Sequence, residues 1–341
     1  MARHGRGNRT TWPVAILLLL AAGVIAYFLF LHNPEGASDD DEAGGGSAAN
    51  ADGRAAGSAG PSDPGGAEPD GDATSAPERR AAARAALEQG LDLREAGKLL
   101  EARAKLSEVA LSDALPEAEA RRAREAAAEL ADKTLFARRL VADDPYAEAY
   151  KVQPGDRLGK IVRDKDLRVP WELLVRLNPN VPDEKRLQPW EAIKLLRGPC
   201  HAVVHKGAFA MDLYLQRDEL PPVFLRRLEV GLGKDGSTPV GMWRVVAGEK
   251  LRRPDYEPEY GTTIPYGQPG YAFGTLGLWM RLEPEDTEKT LPFGRYGIHS
   301  TNDPSSIGTE ASGGCIRLRD EDMRLVSDLL SGGKSRVEVR P

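Results

Sequence analysis

Residues 33–77 contain no Val, Leu, Ile, Phe, Tyr or Trp. Nothing in such a stretch can offset the entropy of ordering a backbone, so a disordered linker is expected over 32–77. This gap divides the chain into a short N-terminal piece and a long C-terminal one, each of which must find its own apolar partner. Ten acidic residues against the single basic Arg54 give residues 33–77 a net charge of −9, while the whole chain carries −6. The remainder is therefore only faintly basic. Without a basic stripe, a helix-turn-helix or an aromatic stacking platform, nucleic-acid binding is excluded.

Before the gap, Trp12 to Leu31 form an apolar run without a charge. Twenty helical residues span about 30 Å, the thickness of a bilayer's hydrocarbon core. Arg3, Arg6 and Arg9 precede the run and acidic residues follow it. That asymmetry predicts a cytoplasmic tail over 1–11, a transmembrane anchor over 12–31 and an external location for all that follows. Phe28-Leu-Phe-Leu-His32-Asn-Pro offers no small-residue cleavage site, so an uncleaved anchor is expected rather than a signal peptide. The C-terminal part is therefore expected beyond that membrane.

After the gap, residues 78–142 are rich in Ala, Leu, Arg and Glu, with apolar positions at Leu99, Ala102, Leu106 and Val109. This helical spacing, broken at Gly97 and Pro116, predicts about three helices. Gly90, Ala102 and Leu106 fall at the small-residue spacings of a tetratricopeptide repeat, but one repeat cannot bury its own face. A helical spacer is expected, with a partner-binding repeat as the other reading.

Residues 148–197 alternate differently. Tyr150-Lys-Val152-Gln-Pro-Gly155-Asp156-Arg-Leu158-Gly-Lys-Ile161 gives a strand, a turn and a helix that Asp156 is placed to start. Trp171 to Leu177 gives a second short helix ended by Asn178-Pro179, and Leu187 to Leu195 returns as a strand. This βααβ unit resembles a LysM domain, departing at Pro189-Trp190 where that family usually has Pro-Gly. The resemblance implies binding to the glycan strands of peptidoglycan; a LysM fold that no longer binds glycan is the other reading.

The chemistry is concentrated near the C-terminus, in Tyr296-Gly-Ile-His299-Ser300 and Ser312-Gly313-Gly314-Cys315-Ile-Arg317. His299 is the only histidine, and Cys315 the only cysteine, in the last 136 residues. A thiol attacks only as thiolate and needs a nearby base, while adjacent glycines leave backbone N–H groups open to a developing oxyanion. The same run resembles the signature of the L,D-transpeptidases of the YkuD family, and the likeness extends over residues 200–341. Ala202 to Leu215 is similar to that family's opening hairpin, Thr238-Pro239-Val-Gly241-Met-Trp243 to its TPxGxF/W segment, and Phe273 to Met280 to the strand before the catalytic histidine. Gly313 stands where the family usually has His.

The resemblance implies a mainly-β, sandwich-like catalytic domain that cross-links peptidoglycan stem peptides 3→3 through a thioacyl-enzyme on Cys315. His299 would be the general base and acid, the Ser300 carbonyl its orienting group, and the Gly313 and Gly314 amides the oxyanion donors. Arg317, Ser312 and Trp279 would contact substrate. An L,D-carboxypeptidase, with water as acceptor, and a non-catalytic wall tether are the alternatives. With the anchor, the resemblance implies a bacterial inner-membrane protein whose C-terminal part lies in the periplasm or cell-wall space, and no cofactor is implied. His201 and His205 lack further ligands in sequence, so no metal is expected. Thr238, Pro239 and Gly241 are expected to shape the backbone, and Cys200 to be a buried free thiol.

Overall fold

The structure is a computed structural model that describes residues 75–258, 261–285 and 296–341. The anchor expected over 12–31 and all but the last residues of the expected linker lie outside the described residues. Among the described residues no helix is long and apolar enough to cross a membrane.

Three helices follow the linker: α1 (Ala76–Glu95), α2 (Leu99–Ala110) and α3 (Glu117–Ala131). The breaks fall at Gly97, with φ +73°, and at Pro116, the residue before α3. Proline is tolerated there because it sits outside the helix's hydrogen-bonded turns. Gly90 is required by contact, since a Cβ on it would lie 2.7 Å from Leu106 Cγ. The three helices are not a free-standing spacer. Their alanine-rich faces close over Phe224 of the C-terminal sheet, which is fully buried among Leu106, Ala123 and Leu130. Burying one such aromatic contributes roughly 2–3 kcal/mol, and small alanine faces cannot supply that burial among themselves.

Next come β1 (Ala147–Lys151), α4 (Leu158–Asp164), α5 (Trp171–Leu177) and β2 (Ala192–Leu196), with β1 and β2 antiparallel. Asn178 ties the end of α5 to β2: its Nδ2 donates to Lys194 O and its Oδ1 accepts from Lys194 N, both at 2.8 Å. Asp156 does not cap α4, which begins two residues later with no side-chain cap. It accepts instead from Gln153 N at 2.7 Å and from the Tyr150 hydroxyl at 2.8 Å, closing the turn between strand and helix.

The C-terminal part contains β3 (Cys200–His205), β4 (Ala210–Leu215), β5 (Val223–Glu229), β6 (Leu232–Gly233), β7 (Gly241–Arg252), β8 (Leu278–Pro284), β9 (Gly297–Ser300), β10 (Glu310–Ser312), β11 (Ile316–Leu318), α6 (Asp320–Leu329) and β12 (Arg336–Arg340). Eight of these strands form one mixed sheet in the order β11-β9-β8-β7-β12-β3-β4-β5. β6 and β10 pair in a second, two-stranded sheet, so the part is mainly β as expected, and a helix covers the apolar face of the large sheet. Met323, Val326 and Leu329 of α6 are fully buried in the same core as Ile298, Ile316 and Met280. That core continues into Leu158, Leu173 and Leu195 of the βααβ unit, and residues 79–341 make one compact unit.

Candidate active site

Parallel pairing of β9 with β11 assembles the site. Ile316 pairs with Ile298 and Arg317 with His299, while on the other side of β9 Trp279 pairs with His299. Side chains alternate along strands, so Ile298, Ile316 and Met280 face the core while His299, Arg317 and Trp279 share the opposite face. Cys315, one residue before β11, stands beside Gly297, whose backbone hydrogen-bonds to the thiol. Any side chain at 297 would collide there, because a Cβ would come within 2.9 Å of the Trp279 ring.

His299 is 5% exposed, and its Nδ1 lies 2.8 Å from the Ser300 carbonyl oxygen. A carbonyl only accepts, so Nδ1 carries the proton and Nε2 is left as the basic atom. Phe273 and Trp279 hold the ring in place, with centroids 4.8 and 5.8 Å from the imidazole. Burial pushes the imidazole down to about 4, against the raising effect of the Ser300 carbonyl, and Arg317 lowers it further. Burial also raises the Cys315 thiol, opposed by the Gly297 hydrogen bond and by Arg317. The resting pair at neutral pH is therefore thiol and neutral imidazole, and thiolate forms only as the proton moves.

The loop before the thiol is locked. Ser312, 3% exposed, donates from Oγ to Cys315 O at 2.7 Å and accepts from Gly314 N at 3.1 Å. This corrects two sequence expectations. Ser312 clamps the loop rather than facing substrate, and the Gly314 N–H is engaged, so it is not an oxyanion donor. Gly313 remains open, since a Cβ there would meet nothing within 4 Å. The fully buried Thr238 braces the loop from outside, donating from Oγ1 to Gly314 O at 2.9 Å and accepting from Gly233 N at 2.8 Å. Gly233 permits that approach, because a Cβ on it would sit 2.7 Å from Gly314 Cα. Lys206 in turn donates from Nζ to Thr238 O at 2.6 Å.

Two buried polar atoms of the site have no hydrogen-bond partner, Arg317 Nε and the Tyr296 hydroxyl. Tyr296 and Phe273 were not singled out in the sequence as site residues. Tyr296 opens the histidine run, and Phe273 opens the strand segment before it, which was the only available signal. Ser300 Oγ donates to Phe273 O at 2.7 Å, tying that aromatic to the histidine strand. Cys200 is a free thiol, fully buried and pushed up to about 12 by burial, so it is chemically silent. His201 accepts at Nδ1 from Arg336 N at 3.0 Å and His205 lies 3.0 Å from Asp212 Oδ2, so the two histidines serve separate networks. Among the described residues no cluster suits a metal ion. A cavity of about 380 Å³ lined by Arg168, His201, Arg244 and Arg336 includes neither Cys315 nor His299.

Residues 201–339 match the family model of the YkuD L,D-transpeptidase catalytic domain. This part of the chain is therefore similar to an L,D-transpeptidase catalytic domain. The protein named L,D-transpeptidase YkuD in Bacillus licheniformis is 28% identical over 199 residues, 56% of this chain and 98% of that protein. The L,D-transpeptidase ErfK/SrfK of Salmonella typhimurium is 30% identical over 115 residues, 33% of this chain and 36% of its own length. An L,D-transpeptidase structure from Mycobacterium smegmatis overlaps with a TM-score of 0.29 at 18% identity, covering 44% of this chain and 63% of that one. The Bacillus match takes in more of the chain than the transpeptidase domain contains, so it extends into residues before 201.

Proposed function

We propose that the protein is a cell-wall L,D-transpeptidase that forms 3→3 cross-links between peptidoglycan stem peptides. The observation that carries this reading is a half-buried thiol beside the strand of a histidine whose Nδ1 is committed to a backbone carbonyl, leaving Nε2 as base. Nε2 takes the Cys315 proton as sulfur attacks the carbonyl carbon before the terminal D-alanine of a donor stem. The Gly313 N–H and Arg317, whose Nε has no hydrogen-bond partner, are the candidates for stabilising the oxyanion. Collapse expels D-alanine, which takes the proton from His299, and leaves a thioester. The amine of a second stem then loses a proton to His299, attacks the thioester and restores the thiol.

Substrate contact is assigned to Arg317 and Trp279, which share the face of His299. The βααβ unit is read as a LysM domain that holds glycan strands near the thiol, raising local substrate concentration without entering the chemical step. The apolar run 12–31 is read as the anchor that keeps these domains in the space between membrane and wall. Mass spectrometry of muropeptides after incubation of the protein with purified sacculi tests the reading. Dimers linked 3→3, absent with Cys315→Ala, are expected. Shortened stems without dimers would replace it with a carboxypeptidase.

A further inference from the structure

The loop of residues 273–277, which leads into β8, is pinned at two points. Ser300 Oγ donates to Phe273 O at 2.7 Å, and Thr275 N donates to Asp320 Oδ2 at 3.1 Å. The Thr275 hydroxyl donates to the same carboxylate oxygen. Between the two ties Gly274 has φ +63°, and a Cβ on it would collide with Asp320 Oδ1 and lie 2.9 Å from Ser300 Oγ. Only glycine fits that gap, so the loop closes directly onto both anchors.

Asp320 is the first residue of α6, which follows β11 and the nucleophile. Its carboxylate fastens Thr275, 45 positions earlier in the chain, to the element that continues from Cys315. Glu321 and Asp322 also place negative charge in the first turn of α6, so the start of the helix does not by itself call for a carboxylate at 320.

What the loop carries is Phe273. Its ring is buried, 4.8 Å from the imidazole of His299 and 5.1 Å from the Trp279 ring, centroid to centroid. The charged and titratable groups beside His299 are Arg317 on β11 and the Cys315 thiol just before it, while the loop and β8 face it with Phe273 and Trp279. The aromatic cover therefore keeps water from the imidazole, and burial is the largest cause of its low value.

We propose that Asp320 is a positioning residue for the general base: by holding Thr275 it keeps Phe273 over His299, which keeps the imidazole dry and in one orientation toward the thiol. This rests on the reading of Cys315 and His299 as the reacting pair and adds to it the group that fixes the cover of the base.

The test compares Asp320→Ala, Asp320→Asn and Thr275→Val in the full chain. The imidazole of His299 is followed by NMR between pH 8 and 5, its signal assigned by its loss in His299→Gln. Acylation of Cys315 by a carbapenem and thermal melting are measured in parallel. Wild-type His299 should stay neutral over that range, whereas in Asp320→Ala it should titrate near the ordinary 6.5. Acylation should slow about tenfold in Asp320→Ala, with melting lowered by only a few degrees. Asp320→Asn, which keeps an accepting oxygen without the charge, should behave as wild type. Thr275→Val removes the hydroxyl donor from the other side and leaves α6 untouched, so it should move the titration and the rate in the same direction by less.

Unchanged titration and acylation in Asp320→Ala overturn the proposal. Losses as large in Asp320→Asn as in Asp320→Ala, with Thr275→Val silent, also overturn it, because charge at the helix start would then be the cause. Should Asp320→Ala fail to fold, Thr275→Val decides, and wild-type behaviour there overturns the brace. A titration that moves as expected in a protein no carbapenem acylates keeps the brace and removes the transpeptidase reading instead.

Discussion

Two of the buried polar clusters among the described residues are satisfied to different degrees. Where the helices meet the βααβ unit, Arg103 forks onto Asp144 at 2.7 and 2.8 Å and also donates to Thr134 Oγ1 at 2.7 Å. Lys194 Nζ donates to Thr134 O and Ala137 O at 2.6 and 2.9 Å, and Tyr146 N donates to Asp144 at 3.1 Å. At the thiol, by contrast, Arg317 Nε and the Tyr296 hydroxyl are left without partners. A fully satisfied buried network holds one arrangement, whereas unmet donors cost stability and persist where a ligand or reacting group completes them. The first cluster joins elements; the second waits for chemistry.

Substitutions can break this contrast. Cys315→Ala should lower transpeptidation by about 10⁴-fold or more and abolish covalent labelling by a carbapenem, read by intact-protein mass spectrometry, with little change in melting. Arg103→Ala should do the opposite, since it strands Asp144, which is 5% exposed. A loss of about 3–5 kcal/mol in denaturant unfolding is expected, with turnover kept under native conditions. If Arg103→Ala stops turnover without loss of stability, the two clusters are not separate.

Acid should sharpen the difference through His299. Its folded value of about 4 lies below the ordinary 6.5, so the unfolded chain binds the proton first as pH falls. Stability from this group is complete above about 6.5 and lost between there and 4, by about 3 kcal/mol. His299→Gln should flatten that part of the stability profile, and the acid limb of kcat/KM should lie near 4 instead of 6.5. A limb at 6.5 would mean a solvated imidazole. The smallest effect is expected at Thr238→Ala, which frees the Gly314 carbonyl at a cost of about 1–2 kcal/mol. It should cut kcat roughly tenfold, with recovery in Thr238→Ser. Unchanged kcat would show that the loop needs no outside brace.

Local pattern accounts for what could be read in advance. The breaks at Gly97 and Pro116 and the two strands and two short helices between 147 and 196 follow from turn residues and apolar periods within a few tens of residues. The Ser300 carbonyl could be anticipated only through the family resemblance, and the folded strand shows it 2.8 Å from His299 Nδ1. Ser312 and Gly314 could not be assigned, because the same short motif supports either a substrate contact or a hydrogen bond inside the loop. Only the folded loop shows Ser312 Oγ taking the Gly314 N–H.

The sequence by itself determined which residues could act, through composition and spacing along one stretch of chain. Tertiary structure decided how they are held. Thr238 reaches Gly314 across 76 positions and Arg103 reaches Asp144 across 41, separations that leave no periodic trace in the chain. The docking of the alanine-rich helices on Phe224 was decided in the same way. A helix's apolar face shows that it must be covered, but its partner is chosen by shape and burial once the sheet exists.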